Sequence, residues 1–90
     1  MLSDFKITII GLGYVGLPLA LEFGKKIPTS GYDIDKNRIK DLKRSIDRNN
    51  EYTPNDFKNS KKINFYSNFD KIVKSNIYIV TVPTPIKKNN

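Results

Sequence analysis

Ninety residues, 38% apolar and 28% charged, make one small domain or part of a larger one, and carry too much apolar content for a disordered chain. Sixteen Lys and Arg against nine Asp and Glu leave a formal charge of +7 at pH 7. With no cysteine and no histidine, disulfides, thiolate chemistry, zinc sites and Ser-His hydrolysis are excluded from this chain.

No apolar run reaches the roughly 18–20 residues of a membrane span. The start, Met1 to Ile7, lacks the basic region and long apolar stretch of a signal peptide. The expectation is a soluble, cytoplasmic protein with no membrane partner. Most of the cations are lysines spread from Lys6 to Lys88, never more than two together, which reads as a solvated surface. A nucleic-acid partner is not expected, because the RNP signature, an aromatic stacking platform and a basic helix are all missing.

In chain order, Lys6 to Ile10 is a β-branched apolar run stopping at Gly11, and reads as a buried strand. Tyr14 to Phe23 is apolar almost all round and predicts a helix. Pro18 is tolerated only in a first turn, which puts the helix start near Tyr14. Gly24 followed by Lys25 and Lys26 ends it. Thr29 to Ile34 predicts a second, weak strand. Asp35 then caps a helix with Ile39, Leu42 and Ile46 on one face.

Thr53-Pro54-Asn55-Asp56 has capping-box spacing with proline at the first helical position, and predicts a short helix. Ile63 to Phe65 is a short third strand. Ser67-Asn68-Phe69-Asp70 repeats the capping-box spacing and opens one or two turns to Lys74. Ile77 to Val82 is the clearest strand, ended by Pro83 and Pro85. Strands alternating with helices call for an α/β fold with a mostly parallel sheet and helices on both faces.

Gly11-Leu12-Gly13-Tyr14-Val15-Gly16 is a G-x-G-x-x-G between a strand and a helix, the context that gives this motif its meaning. Gly11 makes the tight turn, Gly13 lets backbone approach a pyrophosphate, and Gly16 lets the helix lie close on the strand. The unpaired N–H groups around Tyr14 and Val15 then face the anion.

Asp33 stands twenty residues after Gly13, where a carboxylate accepts from ribose hydroxyls and repels a 2′-phosphate, favouring NAD over NADP. Lys36 and Arg38 follow closely, and a cation there could hold a 2′-phosphate. Arg38 has two readings, a solvent-facing helix residue or a contact at the adenosine end. Pro83 and Thr84 leave the last strand. With strands in the order 3-2-1-4 they face the glycine loop across the ligand crevice, placing Thr84 near the middle of a dinucleotide.

Four segments together resemble the UDP-glucose/GDP-mannose dehydrogenase family over essentially the whole chain. They are Lys6 to Ala20, Gly31-Tyr32-Asp33-Ile34, Ile46-Asp47-Arg48 with Glu51, and Val82-Pro83-Thr84-Pro85-Ile86. Pro18 and the Val82 to Ile86 segment resemble the branch that oxidises UDP-N-acetylhexosamines. The resemblance implies a partial Rossmann fold, with residues 1–90 as the N-terminal part of an NAD-binding domain. It implies a fragment of an enzyme that oxidises a sugar 6-hydroxyl to a carboxylate in two NAD-dependent steps for capsule or O-antigen synthesis.

It further implies backbone contacts from Tyr14 and Val15 to the pyrophosphate, Asp33 on the adenine ribose with Arg38 beside it, and Thr84 near the nicotinamide-side ribose. The family's catalytic cysteine and its UDP-sugar domain lie beyond this chain, so no catalytic residue is expected here, and UDP-sugar is a partner only of a full-length enzyme. Two departures stand out. Ser45 replaces the usual glycine before Ile46, and Pro28, Thr29 and Ser30 replace apolar residues entering strand two. A non-enzymatic nucleotide-binding or interaction module derived from the family is the alternative. Ile77 to Val82 has neither charge nor proline, and an open edge there predicts self-association.

Overall fold

The computed structural model describes residues 5–72 and 74–81. Four strands, β1 (Ile7–Ile10), β2 (Thr29–Tyr32), β3 (Ile63–Tyr66) and β4 (Ile77–Val80), form one sheet in the order β3-β2-β1-β4. Every pairing is parallel, with Ile9 opposite Gly31 on one side and Ile79 on the other. The doubly wound order expected from the motifs is therefore present.

Helices α1 (Gly16–Phe23), α2 (Lys36–Lys43) and α3 (Pro54–Asn59) supply the main core. Alternate strand residues share a face. Ile7, Ile9 and Phe65 meet Leu12, Leu17, Ala20, Leu21, Ile39, Leu42 and Phe57 in one buried cluster. The other face carries a 3-10 turn (Phe69–Lys71), whose Phe69 ring stands edge-on to Tyr32 at 5.3 Å and near Tyr78 at 6.4 Å. Thr8, fully buried on that face, shares a 2.6 Å hydrogen bond with Ser75. No helix among the described residues is long and apolar enough to cross a membrane.

Local chemistry accounts for the element ends. Asp35 caps α2 as expected, accepting from the N–H groups of Asn37 and Arg38. Thr53 and Asp56 form the expected capping box, with Thr53 N–H donating to Asp56 at 2.8 Å and Asp56 N–H to Thr53 Oγ1 at 3.3 Å.

Other ends differ from expectation. Helix α1 starts at Gly16 rather than Tyr14, because residues 13–15 form the loop that turns out of β1. Pro18 still falls in the first turn. Gly24 ends α1 in right-handed backbone (φ −64°), so its role is not conformational. A Cβ there would run into Ser60 Oγ and Ile63.

Strand β2 stops at Tyr32, and Ile34 is 81% exposed. Helix α2 ends at Lys43. Ile46 is thus off the helix face and half-exposed, because Ser45 turns the chain at φ +61°. The cap of the 3-10 turn is Asn68 rather than Ser67, accepting from Asp70 N–H, and the turn stops at Lys71. Strand β4 ends at Val80; Val82 lies outside the described residues.

Candidate dinucleotide site

The C-terminal ends of β1, β2 and β4 meet at the glycine loop, and the carbonyls of Gly11, Leu12 and Gly13 each have a traceable partner. Gly11 N–H donates to Tyr32 O at 2.8 Å, extending the β1–β2 ladder by one residue. Gly11 O accepts from Thr81 Oγ1 at 2.6 Å. Leu12 N–H donates to Asp33 Oδ2 at 2.9 Å. Leu12 O accepts from Arg38 twice, from Nε at 3.1 Å and Nη2 at 2.8 Å. Gly13 O accepts from Leu17 N–H at 3.1 Å, the first bond into α1. The next donors, the N–H groups of Gly13, Tyr14, Val15 and Gly16, find no acceptor among the described residues, and no side chain caps α1. Four unpaired donors at a helix start form an anion-binding edge.

The three loop glycines separate by mechanism. Gly11 has φ +96°, and a Cβ would lie 2.9 Å from Thr81 O, so turn and packing both demand glycine. At Gly16 a Cβ would overlap Gly11 O and Thr81 Oγ1, so helix and strand could not approach. At Gly13 a Cβ meets nothing within 4 Å among the described residues, and the backbone is not left-handed. None of the described residues requires glycine there. Open space at Gly13, beside N–H groups that find no acceptor among the described residues, is what an approaching pyrophosphate needs, so the loop fits a dinucleotide.

Asp33 closes the site from β2. Its carboxylate accepts from Leu12 N–H through Oδ2 and from Asp35 N–H through Oδ1, which fixes its plane beside the loop. An apolar hollow of about 400 Å³ lies between them, bordered by Ile10, Gly13, Tyr32 and the exposed Ile34. A more polar hollow of about 390 Å³ lies at the β3 edge beside Leu42, Phe57 and Tyr66, away from the loop. Tyr14 and Val15 turn their side chains outward, 70% and 61% exposed, and offer the site only backbone.

Arg38 corrects one expectation. It is not solvent-facing: it is 5% exposed, with its guanidinium under the glycine loop. Besides the two bonds to Leu12 O, Nη1 pairs with Asp47 Oδ1 at 2.9 Å. A cation spent on these partners is poorly placed to take up a 2′-phosphate. Burial pushes the Asp47 carboxyl up, but hydrogen bonds from Arg38 and from the N–H groups of Asn49 and Glu51 outweigh it and hold it below the usual carboxylate value.

The structure thus brings Gly11, Gly13, Tyr14, Val15, Gly16 and Asp33 together, with Arg38 behind the loop. Pro83 and Thr84 lie outside the described residues. Sequence reading gave no role to Thr81, nor to Asp47, although Asp47 fell in one of the segments that carry the resemblance. Thr81 was findable, since order 3-2-1-4 sets the end of β4 beside the end of β1.

Comparison with known proteins agrees with this geometry. Residues 5–90 match the NAD-binding domain of the UDP-glucose/GDP-mannose dehydrogenase family. Similar curated relatives are the UDP-N-acetyl-D-glucosamine 6-dehydrogenases of Salmonella typhi, 49% identical over 94% of this chain, and of Pseudomonas aeruginosa, 44% identical over 98%. The chain spans about a fifth of the length of these relatives, 20% and 21% respectively.

Among solved structures, the UDP-D-ManNAc dehydrogenase of Pyrococcus horikoshii superposes with a TM-score of 0.81 at 28% identity, covering 91% of this chain and 21% of that one. The UDP-N-acetyl-mannosamine dehydrogenase Cap5O of Staphylococcus aureus gives 0.74 at 27% identity, covering 93% and 21%. With four parallel strands, a glycine loop and an acid at the end of β2 all in register, this chain belongs to the UDP-glucose/GDP-mannose dehydrogenase family and carries sequence of its NAD-binding domain.

Proposed function

We propose that this chain is the part of an NAD-binding domain that grips the adenosine and pyrophosphate of the cofactor, in a UDP-N-acetylhexosamine 6-dehydrogenase. The observation that carries the reading is the clear space at Gly13 beside four N–H groups that find no acceptor among the described residues. Gly13, Tyr14, Val15 and Gly16 would donate to the pyrophosphate, and Gly11 would hold the turn. Asp33, its plane fixed by Leu12 and Asp35, would accept from the adenosine ribose hydroxyls. Ile34 would offer an apolar wall to the adenine. Thr84, with Pro83 beside it, would meet the nicotinamide-side ribose. Arg38 would serve the adenosine end from beneath the loop.

When bound, NAD accepts the hydride from the sugar C6. The residues here bind and orient it, and none of them takes part in the bond changes. The UDP-N-acetylhexosamine assignment rests on the names of the relatives, on Pro18 and on the Val82 to Ile86 segment of the sequence. It carries with it a cytoplasmic enzyme supplying a uronate for capsule or O-antigen. We also infer that strand β4 pairs with a second copy of the chain.

Calorimetric titration with NAD and NADP tests the cofactor reading. NAD is expected to bind more tightly, and Asp33→Ala to remove the preference. NADP binding the wild type as well as NAD would overturn the ribose assignment.

A further inference from the structure

Thr81 follows the end of β4, and its half-buried side chain reaches across to the end of β1. Its N–H donates to Ile10 O at 2.7 Å, which carries the β1–β4 ladder one residue past the strands. Gly11 then turns the chain out of the sheet at φ +96°, and no backbone donor among the described residues reaches Gly11 O. The Thr81 hydroxyl does, at 2.6 Å, with a longer contact of 3.2 Å to Ile10 O. A hydroxyl has one proton to donate, and the shorter bond takes it. A Cβ at Gly16 would overlap this oxygen, so the glycine at the start of α1 is what makes room for it.

Gly11 O and Leu12 N–H belong to one peptide, and a trans peptide is planar. The Thr81 hydroxyl holds one end of that plate and Asp33 Oδ2, at 2.9 Å from Leu12 N, takes the other. Turning Gly11 O away would therefore swing Leu12 N–H off the carboxylate. Accepting at the carbonyl also polarises the N–H and strengthens the bond it donates. The other Asp33 oxygen accepts from Asp35 N–H at 2.9 Å. One bond lets a carboxylate swing, whereas two fix its plane.

We propose that Thr81 is a positioning residue for Asp33. Its hydroxyl, acting through the Gly11–Leu12 peptide, holds the carboxylate plane that accepts from ribose hydroxyls and turns away a 2′-phosphate. This rests on the dinucleotide reading of the loop. Three strand ends are thereby tied in series, β4 to β1 to β2, by residues 70 and 21 apart in the chain. Losing one hydrogen bond between neutral groups is expected to weaken NAD binding about fivefold.

The experiment uses the 90-residue chain with Thr81→Ser and Thr81→Ala. Both side chains are smaller than threonine and fit the same notch, and they differ by one oxygen. Amide exchange by NMR is measured without ligand, and NAD and NADP affinities by calorimetry. Thr81→Ala is expected to speed exchange at Leu12 beyond any change in global stability. It is also expected to lower NAD affinity, and with it the preference for NAD over NADP, about fivefold. Thr81→Ser should stay near wild type in each. In an Asp33→Ala background, Thr81→Ala is expected to change NAD affinity no further.

Equal impairment in Thr81→Ser and Thr81→Ala would show that packing of the methyl matters and not the hydroxyl, and the proposal falls. It falls too if NAD and NADP weaken alike, or if Thr81→Ala costs as much affinity without Asp33 as with it. Should Thr81→Ala fail to fold, the wild-type hydroxyl proton decides. Protection from exchange with water supports the link, and free exchange overturns it. Absence of NAD binding in the wild type would count against the cofactor reading. Leu12 exchange, compared between Thr81→Ser and Thr81→Ala, would still decide whether Thr81 holds the peptide on Asp33.

Discussion

Gly13 and Gly16 sit three residues apart in one motif but answer to different constraints. A Cβ at Gly13 meets nothing among the described residues, so Gly13→Val is expected to abolish NAD binding and leave circular dichroism and the urea midpoint near wild type. Gly16→Ala is expected to destabilise the fold itself, since its Cβ overlaps Gly11 O. Equal loss of stability in both variants would refute the separation. Ser45 offers the opposite case. Its φ of +61° strains any residue with a Cβ by about 1–2 kcal/mol, and glycine brings back about 0.5–1 of that as chain entropy.

Ser45→Gly is therefore expected to stabilise the chain by about 0.5–1 kcal/mol, read from urea unfolding. The resemblance flagged Ser45 as a departure, and the geometry gives the reason glycine is usual there. Asp33 was legible because the motif fixes its distance along the chain. The burial of Arg38 was not, because its partners Leu12 and Asp47 are separated from it by turns that no local pattern encodes.

At the scale of elements, legibility followed the caps. Asp35 and the Thr53–Asp56 box were readable because a cap and its donors lie within three residues of each other. Ile46 was assigned to α2 by periodicity, which cannot register a left-handed residue just before it. The segment 44–53 is organised instead by Asp47, and this makes its stability depend on pH.

The carboxyl of Asp47 titrates below its ordinary value of 3.8. A group depressed on folding contributes stability above its unfolded pKa and loses it as pH falls through the folded value. Urea midpoints are therefore expected to hold steady above about pH 4 and to decline below it. Asp47→Asn should start less stable at neutral pH and decline less steeply in acid. Some slope will persist, since Asp35 is also lowered, chiefly by the backbone hydrogen bond from Arg38 N–H. An unchanged acid slope in Asp47→Asn would show that the Arg38 pair adds no pH-dependent stability.

For the whole molecule, the sheet order was readable from the motifs, because a glycine loop between a strand and a helix marks a doubly wound sheet, whose first four strands run 3-2-1-4. Among the described residues, that order leaves the far side of β4 without a pairing strand. One edge of the sheet, β3, follows Lys61 and Lys62 and is flanked by α2 and α3. The other edge, β4, has no pairing on its outer side among the described residues.

It also exposes Ile77 at 43%, Tyr78 at 44% and Val80 at 63%, with Phe69 at 44% on the same face as Tyr78. An uncharged, apolar edge strand is a template for pairing. Two copies meeting edge to edge about a two-fold axis would run their β4 strands antiparallel and continue the sheet across the pair. Light scattering after size exclusion is expected to give a dimer or larger at high micromolar concentration. Val80→Lys, placing a charge at an exposed position on that edge, is expected to shift the population to monomer without changing the fold. A wild-type chain that runs as a clean monomer at that concentration would show that the edge is not a pairing surface.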